Sequence, residues 1–320
     1  MPARRSLLTM PLDPHAKRLL DMLAVSAPAV RVQFNRDERR RAFENLMKLG
    51  GPPEPIGGVE NLVAPGPGGP IALRKYAPVQ SLTEPAPALV YFHGGGLVAG
   101  SLDTHDALCR TLANAACCLV VSVGYRLAPE NPFPAAVDDG FAAVSWILTH
   151  ARALQMAPHR IGIAGDSAGA TVAAVVCQLL RDAPGPQPAL QLLLCPILDF
   201  GADTASRKRF GAGYLLDMQN FALELQQYLP TGSDASDPRL SPLRAANLSG
   251  LPVSYIHTAE FDPMRDEGIA YADRLRGADI EVHYTCHAGM IHLFYALAGV
   301  IPYASTAMRL IGAQIARALC

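Results

Sequence analysis

Short apolar runs alternate with stretches of helical periodicity from about residue 71 to the end of the chain. The runs that predict β-strands are 88–92, 118–123, 160–164, 190–195, 253–259 and 280–285. The stretches between them that predict helices are 104–115, 137–153, 168–182 and 266–276. Strands that are apolar on both faces and separated by helices are typical of a mainly parallel sheet covered on both sides. The pattern therefore predicts an α/β fold.

Two regions interrupt the alternation. Residues 1–50 are helical and charged and are followed by the Pro/Gly-rich linker "GGPPEPIGG", while residues 200–245 are polar, punctuated by glycine and contain one helical stretch. We expect both regions to be additions to the sheet that meet over one end of it. The predicted organisation is an N-terminal helical cap segment at 1–50, a core at 51–199, a cap insertion at 200–245 and the rest of the core at 246–320.

Composition and charge narrow the class of protein. The chain has 320 residues, of which 50% are hydrophobic and 17% are charged, and its net charge is −1. A chain of this length and hydrophobic content can bury a large core. Its nearly balanced charge does not indicate a nucleic-acid partner. The arginine-rich stretch 36–41 alternates with acids, which is typical of the solvent-facing side of a helix.

The cysteines, the N-terminal sequence and the uncharged stretches together predict a soluble, cytoplasmic protein. The seven cysteines are odd in number and several lie in apolar runs, which suits a reducing compartment. Pro11 and Asp13 break the apolar stretch at the N-terminus, so we expect no signal peptide. The longest uncharged stretch contains His292 and Pro302, so we expect no membrane span.

The stretch "GDSAG" at 165–169 directly follows the apolar run "RIGIA" and precedes a predicted helix. Gly165 and Gly169 allow a sharp turn from strand to helix, which would expose the hydroxyl of Ser167 at its apex. The amides at the start of the helix favour negative charge at the same point. The alternative interpretation is that Ser167 only caps an ordinary helix.

A second glycine-rich stretch, "HGGG" at 93–96, follows the strand predicted at 88–92. A serine nucleophile needs a base, an orienting acid and donors for the developing oxyanion. Consecutive glycines allow backbone N–H groups to point at a substrate oxygen without side chains in the way. A flexible turn is the alternative, but this loop together with the serine turn favours catalysis.

Five motifs, in this order along the chain, carry a family resemblance: "HGGG" with "SLDTHDALCR", "YRLAPENPFPAAVDD", "GDSAG", "DPRLSPL", and "AEFDPMRDEG" with "GMIHLF". Together they resemble the bacterial hormone-sensitive-lipase family of esterases, in its GDSAG branch. The resemblance implies an α/β-hydrolase fold, with a mostly parallel central sheet flanked by helices and a helical cap. It also implies a serine carboxylesterase.

The resemblance implies a role for individual residues. Ser167 would be the nucleophile, Asp262 the acid and His292 the base, in the chain order that this fold uses. The amides of Gly95, Gly96 and Ala168 would form the oxyanion hole. The residues that would support these motifs are His93, Gly94, Gly165, Asp166 and Gly169. The residues that would line the substrate pocket are Leu97, Val98, Leu215 and Leu293, and Leu293 stands where the family usually has a glycine.

Without the resemblance, the residues leave more than one candidate for the acid and for the base. Asp262 follows a predicted strand, where open α/β sheets place their ligand crevice, but an Asp before a Pro also suits a helix N-cap. Glu260 and Asp266 compete with it for the role of acid. His283 and His287 compete with His292 for the role of base, and their even spacing places them on one strand face, half-buried or exposed.

A metal site is the remaining chemical alternative. His283, Cys286, His287 and His292 lie close together in the sequence. Cys286 would face away from the histidines in a strand, and neither HExxH nor a pair of CxxC motifs accompanies them. We therefore expect no metal and no cofactor.

The expected function is hydrolysis of short- to medium-chain acyl esters through an acyl-enzyme intermediate. An amidase or a lactonase with the same triad is an alternative, and so is a non-catalytic receptor on this fold, although such receptors lose the base histidine. The expected partner is a small-molecule ester, with no nucleic acid and no membrane span. Related enzymes often pair through an edge of the sheet, so the resemblance also allows a homodimer.

Overall fold

A computed structural model describes residues 10–26 and 35–319. Residues 1–9, which carry part of the signal-peptide expectation, and Cys320 lie outside the described residues. The described chain forms one eight-stranded sheet in the order β1-β2-β4-β3-β5-β6-β7-β8. Its strands are β1 Gly58–Ala64, β2 Ile71–Ala77, β3 Ala86–Phe92, β4 Leu119–Gly124, β5 Met156–Asp166, β6 Leu190–Leu194, β7 Val253–Phe261 and β8 Val282–Ile291.

The sheet is mostly parallel. β3 pairs in parallel with β4 and with β5, and parallel pairing continues through β6 and β7 to β8. Only the β1–β2 and β2–β4 pairs are antiparallel within the described sheet. The α/β-hydrolase fold predicted from the sequence is confirmed.

Helices precede the sheet, lie between its strands and follow the last strand. They are α1 Pro14–Ser26, α2 Arg36–Met47, α3 Asp106–Ala116, α4 Ala135–Thr149, α5 Ala168–Asp182, α6 Ala205–Phe210, α7 Met218–Tyr228, α8 Arg265–Arg276 and α9 Tyr303–Leu319. In the described part of the chain, no helix combines the length and the apolarity that a membrane crossing requires.

The sequence predicted β3 to β8 as separate strands but did not identify β1, β2 or α9. β1 lies at an edge of the sheet and is mostly exposed, and β2 carries the charged pair Arg74 and Lys75. β1 is an edge strand and buries one face at most, and β2 beside it is only partly buried, so neither strand has the continuous apolar run that identified the central strands.

The central strands place their carboxyl ends at one edge of the sheet. All seven residues of β3 and all five of β6 are buried, so helices and loops cover both faces there. The loop after β3, the turn after β5 and the ends of β7 and β8 therefore meet on one side, where an open α/β sheet has its crevice. The predicted site residues lie in these four connections, apart from Leu215, which lies between α6 and α7.

The arginine-rich stretch at 36–41 departs from the expected solvent-facing helix. The Arg39 side chain is 20% exposed and pairs with Glu224 of α7. Arg40 donates from Nε to the carbonyl of Val98 at 2.9 Å and from Nη2 to that of Ala128 at 3.2 Å. The prediction was wrong for these two arginines, because charge alternation along one helix does not show what packs against it.

Candidate active site

Ser167 lies between the last residue of β5 and the first residue of α5, with φ 52° and ψ −119°. A positive φ is strained for a residue with a Cβ and is typical of functional turns. A Cβ at Gly165 would collide with the backbone of Gly169, and one at Gly169 would collide with the carbonyls of Phe92 and His93. The turn therefore needs both glycines.

The surrounding backbone holds the strained turn. The Ser167 amide donates to the carbonyl of Leu194 at 2.8 Å, and the Ser167 carbonyl accepts from the amides of Ala170 at 3.1 Å and Ile197 at 3.3 Å. The Ser167 side chain makes no capping hydrogen bond to α5. The helix-capping interpretation was therefore wrong, and the hydroxyl is free to interact elsewhere.

Ser167, His292 and Asp262 form a hydrogen-bonded chain. The Ser167 hydroxyl lies 2.9 Å from His292 Nε2, and His292 Nδ1 lies 2.8 Å from Asp262 Oδ2. Asp262 Oδ1 accepts a further hydrogen bond from the amide of Met264 at 2.8 Å. All three side chains are buried. The arrangement fixes the imidazole between a hydroxyl and a carboxylate.

The competing acids have other partners. Glu260 accepts from the amide of Gly289 at 2.9 Å, and Asp266 accepts from the amide of Ser206 at 2.8 Å. Neither carboxylate contacts His292 among the hydrogen bonds and ion pairs of the described residues. Of the three candidates, only Asp262 is bonded to the imidazole.

The competing histidines lie on β8, away from Ser167. His283 is exposed and pairs with Glu281 at 2.8 Å. His287 is 3% exposed and lies between His257 at 3.2 Å and the Tyr303 hydroxyl at 3.1 Å. The expectation that His287 is half-buried or exposed was wrong, because Phe294 and Tyr303, the first residue of the unpredicted helix α9, pack against its ring.

The "HGGG" loop is fastened to the residue before the serine. The Gly94 amide donates to Asp166 Oδ1 at 2.8 Å, and the Tyr91 hydroxyl donates to the same oxygen at 2.7 Å. His105 Nε2 lies 3.3 Å from it, and both side chains are fully buried. Tyr91 and His105 were not identified from the sequence, although His105 lies within the quoted motif "SLDTHDALCR".

Fixing Gly94 leaves the next two residues turned toward the cavity. Gly95 and Gly96 have φ values of 122° and 67°, and both line the same cavity as Ser167 and His292. Within the described residues, no acceptor pairs with the amides of Gly95, Gly96 or Ala168. His93 does not enter the cavity, since its ring stacks on Tyr125 with 4.3 Å between centroids.

Comparison with known proteins places this geometry in a family. A family model described as the alpha/beta hydrolase fold matches residues 89–296. The chain belongs to the α/β-hydrolase family. Within it, the chain falls in the branch that resembles hormone-sensitive lipase, as its motifs predicted.

The similar proteins are ester hydrolases. Carboxylic ester hydrolase LipN of Mycobacterium tuberculosis is 47% identical over 245 residues, which are 75% of this chain and 65% of that protein. Carboxylesterase NlhH of the same organism is 38% identical, and the match covers 92% of both chains. The solved structure of a hyperthermophilic esterase from Pyrobaculum calidifontis has a TM-score of 0.90 at 38% identity, covering 97% of this chain and 100% of the other. This α/β hydrolase is a carboxylic ester hydrolase.

The cavity of the hydrolase has a volume of about 540 Å³ and opens onto Ser167 and His292. Leu215 and Leu293, two of the four predicted pocket residues, line it, whereas Leu97 and Val98 are buried and do not. The sequence did not identify the other lining residues, which come largely from α1, α2 and α7: Leu23, Arg39, Ala42, Phe43, Leu46, Gln219, Asn220, Phe221 and Glu224.

The surroundings of His292 and Asp166 shift the pKa values of both side chains. Burial lowers the pKa of His292, but the charge and the hydrogen bond of Asp262 raise it, and the net pKa lies above its usual 6.5. Burial likewise raises the pKa of Asp166, but the neighbouring His105 and the hydrogen bonds from His105 and Tyr91 outweigh it, so this pKa is lowered. Asp166 is therefore a fixed anion beside the serine turn.

Among the residues that the structure describes, one group of three side chains has donor atoms within 4.8 Å of one another, as a metal site would require: Cys195, Asp262 and His292. Both nitrogens of His292 are already engaged by Ser167 and Asp262. Burial and the charge of Asp262 raise the pKa of the Cys195 thiol, which disfavours the thiolate that binds metals. The donor set therefore suits transfer of a proton between Ser167 and His292 better than coordination of a metal.

Proposed function

We propose that this protein is a serine carboxylesterase in which Ser167 is the nucleophile, His292 the base and Asp262 the orienting acid. The observation that supports these roles is the chain of hydrogen bonds from the Ser167 hydroxyl through the imidazole to the Asp262 carboxylate, at 2.9 and 2.8 Å. A hydroxyl becomes an effective nucleophile when an adjacent base accepts its proton and a third group orients that base.

The proposed reaction has two halves. His292 Nε2 accepts the proton of Ser167 as the serine oxygen attacks the ester carbonyl carbon, and Asp262 stabilises the imidazolium that forms. The tetrahedral intermediate collapses, and His292 returns the proton to the leaving alcohol. Water then attacks the acyl-serine as His292 accepts one of its protons. His292 returns that proton to the Ser167 oxygen as the bond to the acyl group breaks and the carboxylic acid leaves.

The amides of Gly95, Gly96 and Ala168 are the proposed oxyanion donors. The three have no acceptor of their own in the described part of the chain, and the first two line the cavity beside Ser167. Donors that are in place before the reaction stabilise developing charge at no further cost of reorganisation. Asp166 supports this arrangement through its bond to Gly94.

We propose short- to medium-chain acyl esters as the substrate class. Segments 1–50 and 200–245 act as the cap in this proposal, and Phe43, Leu46, Leu216 and Phe221 supply apolar surface inside the cavity. A cavity of about 540 Å³ is suited to a small molecule and limits the length of an acyl chain that binds beneath a cap.

The test is hydrolysis of p-nitrophenyl acyl esters from acetate to palmitate by the wild type, by Ser167→Ala and by the control Ser81→Ala, which alters an exposed serine. We expect activity on the short and medium esters, little on palmitate, and a loss of about 10⁴-fold or more in Ser167→Ala only. A wild type that is inert on every ester, or a Ser167→Ala variant of equal activity, contradicts the proposal. Matched p-nitroanilides measure any amidase activity.

We also propose a cytoplasmic location and a homodimer that pairs through an edge of the sheet. β1 and β8 are the two edges of the described sheet, and an edge strand can pair with a strand of a second copy. On β8 the carbonyl of Gly289 already accepts from the amide of Asp13 at 3.0 Å, which favours β1 as the pairing edge. Light scattering of the purified protein tests the dimer, and fractionation of the producing cells tests the location.

A further inference from the structure

One wall of the cavity carries an ion pair that the hydrolytic mechanism does not use. Arg39 of α2 donates from Nε to Oε1 of Glu224 on α7. Both side chains line the same cavity as Ser167 and His292. The Glu224 side chain is only 6% exposed. Two charged groups are thus held inside the space that the substrate occupies, where an apolar wall would be less costly to bury.

Glu224 lies directly against the oxyanion loop. A Cβ atom built on Gly96 would collide with Glu224 Oε2, so the carboxylate covers the open side of this glycine. Since Gly96 is one of the proposed oxyanion donors, the ion pair stands beside the carbonyl group of a bound ester. A substituent only a few bonds away from that carbonyl can therefore reach it.

Each member of the pair has hydrogen-bonding capacity left. In the described parts of the chain, the bond between Arg39 Nε and Glu224 Oε1 is the only side-chain hydrogen bond that either residue makes. Arg39 Nη1 and Nη2 and Glu224 Oε2 are therefore available to a ligand. The guanidinium also lies over the ring of Phe43, 5.2 Å from its centroid, which holds it in position.

The free donors of Arg39 lie beside the free acceptor of Glu224, and together they favour one kind of substituent on the ester. A hydroxyl group accepts one hydrogen bond and donates another, so it can satisfy Arg39 and Glu224 together. A carboxylate only accepts and would face Glu224 and Asp217, which both line the cavity. An ammonium group would face Arg39. An alkyl group would leave polar atoms of the pair unpaired and away from water.

We propose that Arg39 and Glu224 make this hydrolase selective for esters that carry a hydroxyl group close to the ester carbonyl, in the acyl part or in the alcohol part. The inference rests on the proposed function and extends it from ester hydrolysis to a class of substrate. Because the pair joins α2 to α7, both regions of the proposed cap contribute to this selectivity.

The first test uses the wild type and pairs of esters of matched size. Ethyl 3-hydroxybutanoate is compared with ethyl 3-methylbutanoate for the acyl part, and 2-hydroxyethyl butanoate with propyl butanoate for the alcohol part, with kcat/KM measured by pH-stat titration. We expect the hydroxyl ester to be preferred about tenfold or more in at least one pair, as for a hydrogen bond to a charged group. Ratios of one or less in both pairs overturn the inference, whereas a wild type inert on all four esters overturns the proposed function.

The second test assigns the preference to the ion pair. The double variant Arg39→Met, Glu224→Leu removes both charges together and leaves neither one buried alone. We expect its ratio of hydroxyl to alkyl ester to fall to about one. The control Arg41→Ala alters an exposed arginine of the same helix and keeps the wild-type ratio. A double variant that retains the wild-type ratio overturns the assignment to Arg39 and Glu224.

Discussion

At the scale of single residues, two buried carboxylates near Ser167 have different partners and different proposed roles. Asp262 bonds to the imidazole of His292, whereas Asp166 bonds to the amide of Gly94 and the hydroxyl of Tyr91. In the proposed mechanism, the first carboxylate acts on the base and the second on the loop that carries the oxyanion donors. Their effects on catalysis are therefore separable by substitution.

We expect Asp262→Asn to lower kcat by about 10⁴-fold, since an amide supports the wrong tautomer of the imidazole. The substitution also removes the charge that raises the pKa of His292. The imidazole of the variant then stays neutral to lower pH, so the acid limb of its residual kcat/KM moves to lower pH.

The matched control is Glu260→Gln, which alters the competing acid that bonds to Gly289. Its expected loss is under tenfold, and its acid limb stays at the wild-type pH. If Asp262→Asn loses less than tenfold while Glu260→Gln is inactive, the acid has been assigned to the wrong residue.

At the scale of elements, close contacts between helix backbones position the layer behind the site. α9 packs on α3, and a Cβ at Gly312 of α9 would collide with the backbone of Ala115 in α3. A helix interior normally disfavours glycine relative to alanine by about 1 kcal/mol. Glycine at this position therefore reflects the approach of the two helices and not the preference of α9 alone.

We expect Gly312→Ala to lower the free energy of unfolding by about 1–3 kcal/mol, because the added methyl group forces the two helices apart. Gly277→Ala is the control: Gly277 follows α8 at φ −65°, and a Cβ there would meet its nearest atom at an ordinary 3.4 Å. This control should be neutral or stabilising. Urea unfolding monitored by circular dichroism measures both, and a Gly312→Ala variant as stable as Gly277→Ala would contradict the packing argument.

At the scale of the whole molecule, the core buries several histidines in their neutral form. Burial lowers the pKa of His93 to about 3, that of His257 to about 3 and that of His287 to about 4, with a neighbouring histidine adding to the effect for the first two. Burial also raises the pKa of Glu267 to about 7, which acts in the opposite direction on stability. The three histidines thus favour the folded state at neutral pH, whereas Glu267 favours it at acid pH, as does His292 through its raised pKa.

We expect the free energy of unfolding to fall as the pH drops below about 6.5, the ordinary pKa of histidine, because the unfolded chain then binds protons that the folded histidines refuse. Each such histidine costs about 2 kcal/mol between pH 6.5 and 5, and Glu267 offsets one of them. Urea unfolding at pH 7, 6 and 5 measures the slope of the free energy of unfolding against pH.

Two variants locate the origin of this slope. His257→Asn should reduce it by the contribution of one histidine, whereas His159→Gln, at an exposed position, should leave it unchanged. Stability that stays constant or rises from pH 7 to pH 5 would show that the buried histidines are protonated in the folded protein.

Local patterns in the sequence determined the central strands, the helices after them and the order of the motifs. Apolar runs identified β3 to β7 because those strands are largely buried on both faces, and glycine pairs marked the serine turn because only glycine fits there. Such signals depend on each residue's own neighbours in the chain. They also predicted the family, and with it the α/β-hydrolase fold.

Only the tertiary structure decided which groups meet. Without the family resemblance, the sequence leaves Asp262, Glu260 and Asp266 as competing acids, and the fold brings only Asp262 to His292. Arg39 and Glu224 are 185 residues apart, and nothing local to either one predicts that they share a cavity. Contacts of this kind depend on how separate elements pack, and the periodicity of one element carries no information about what another presents to it.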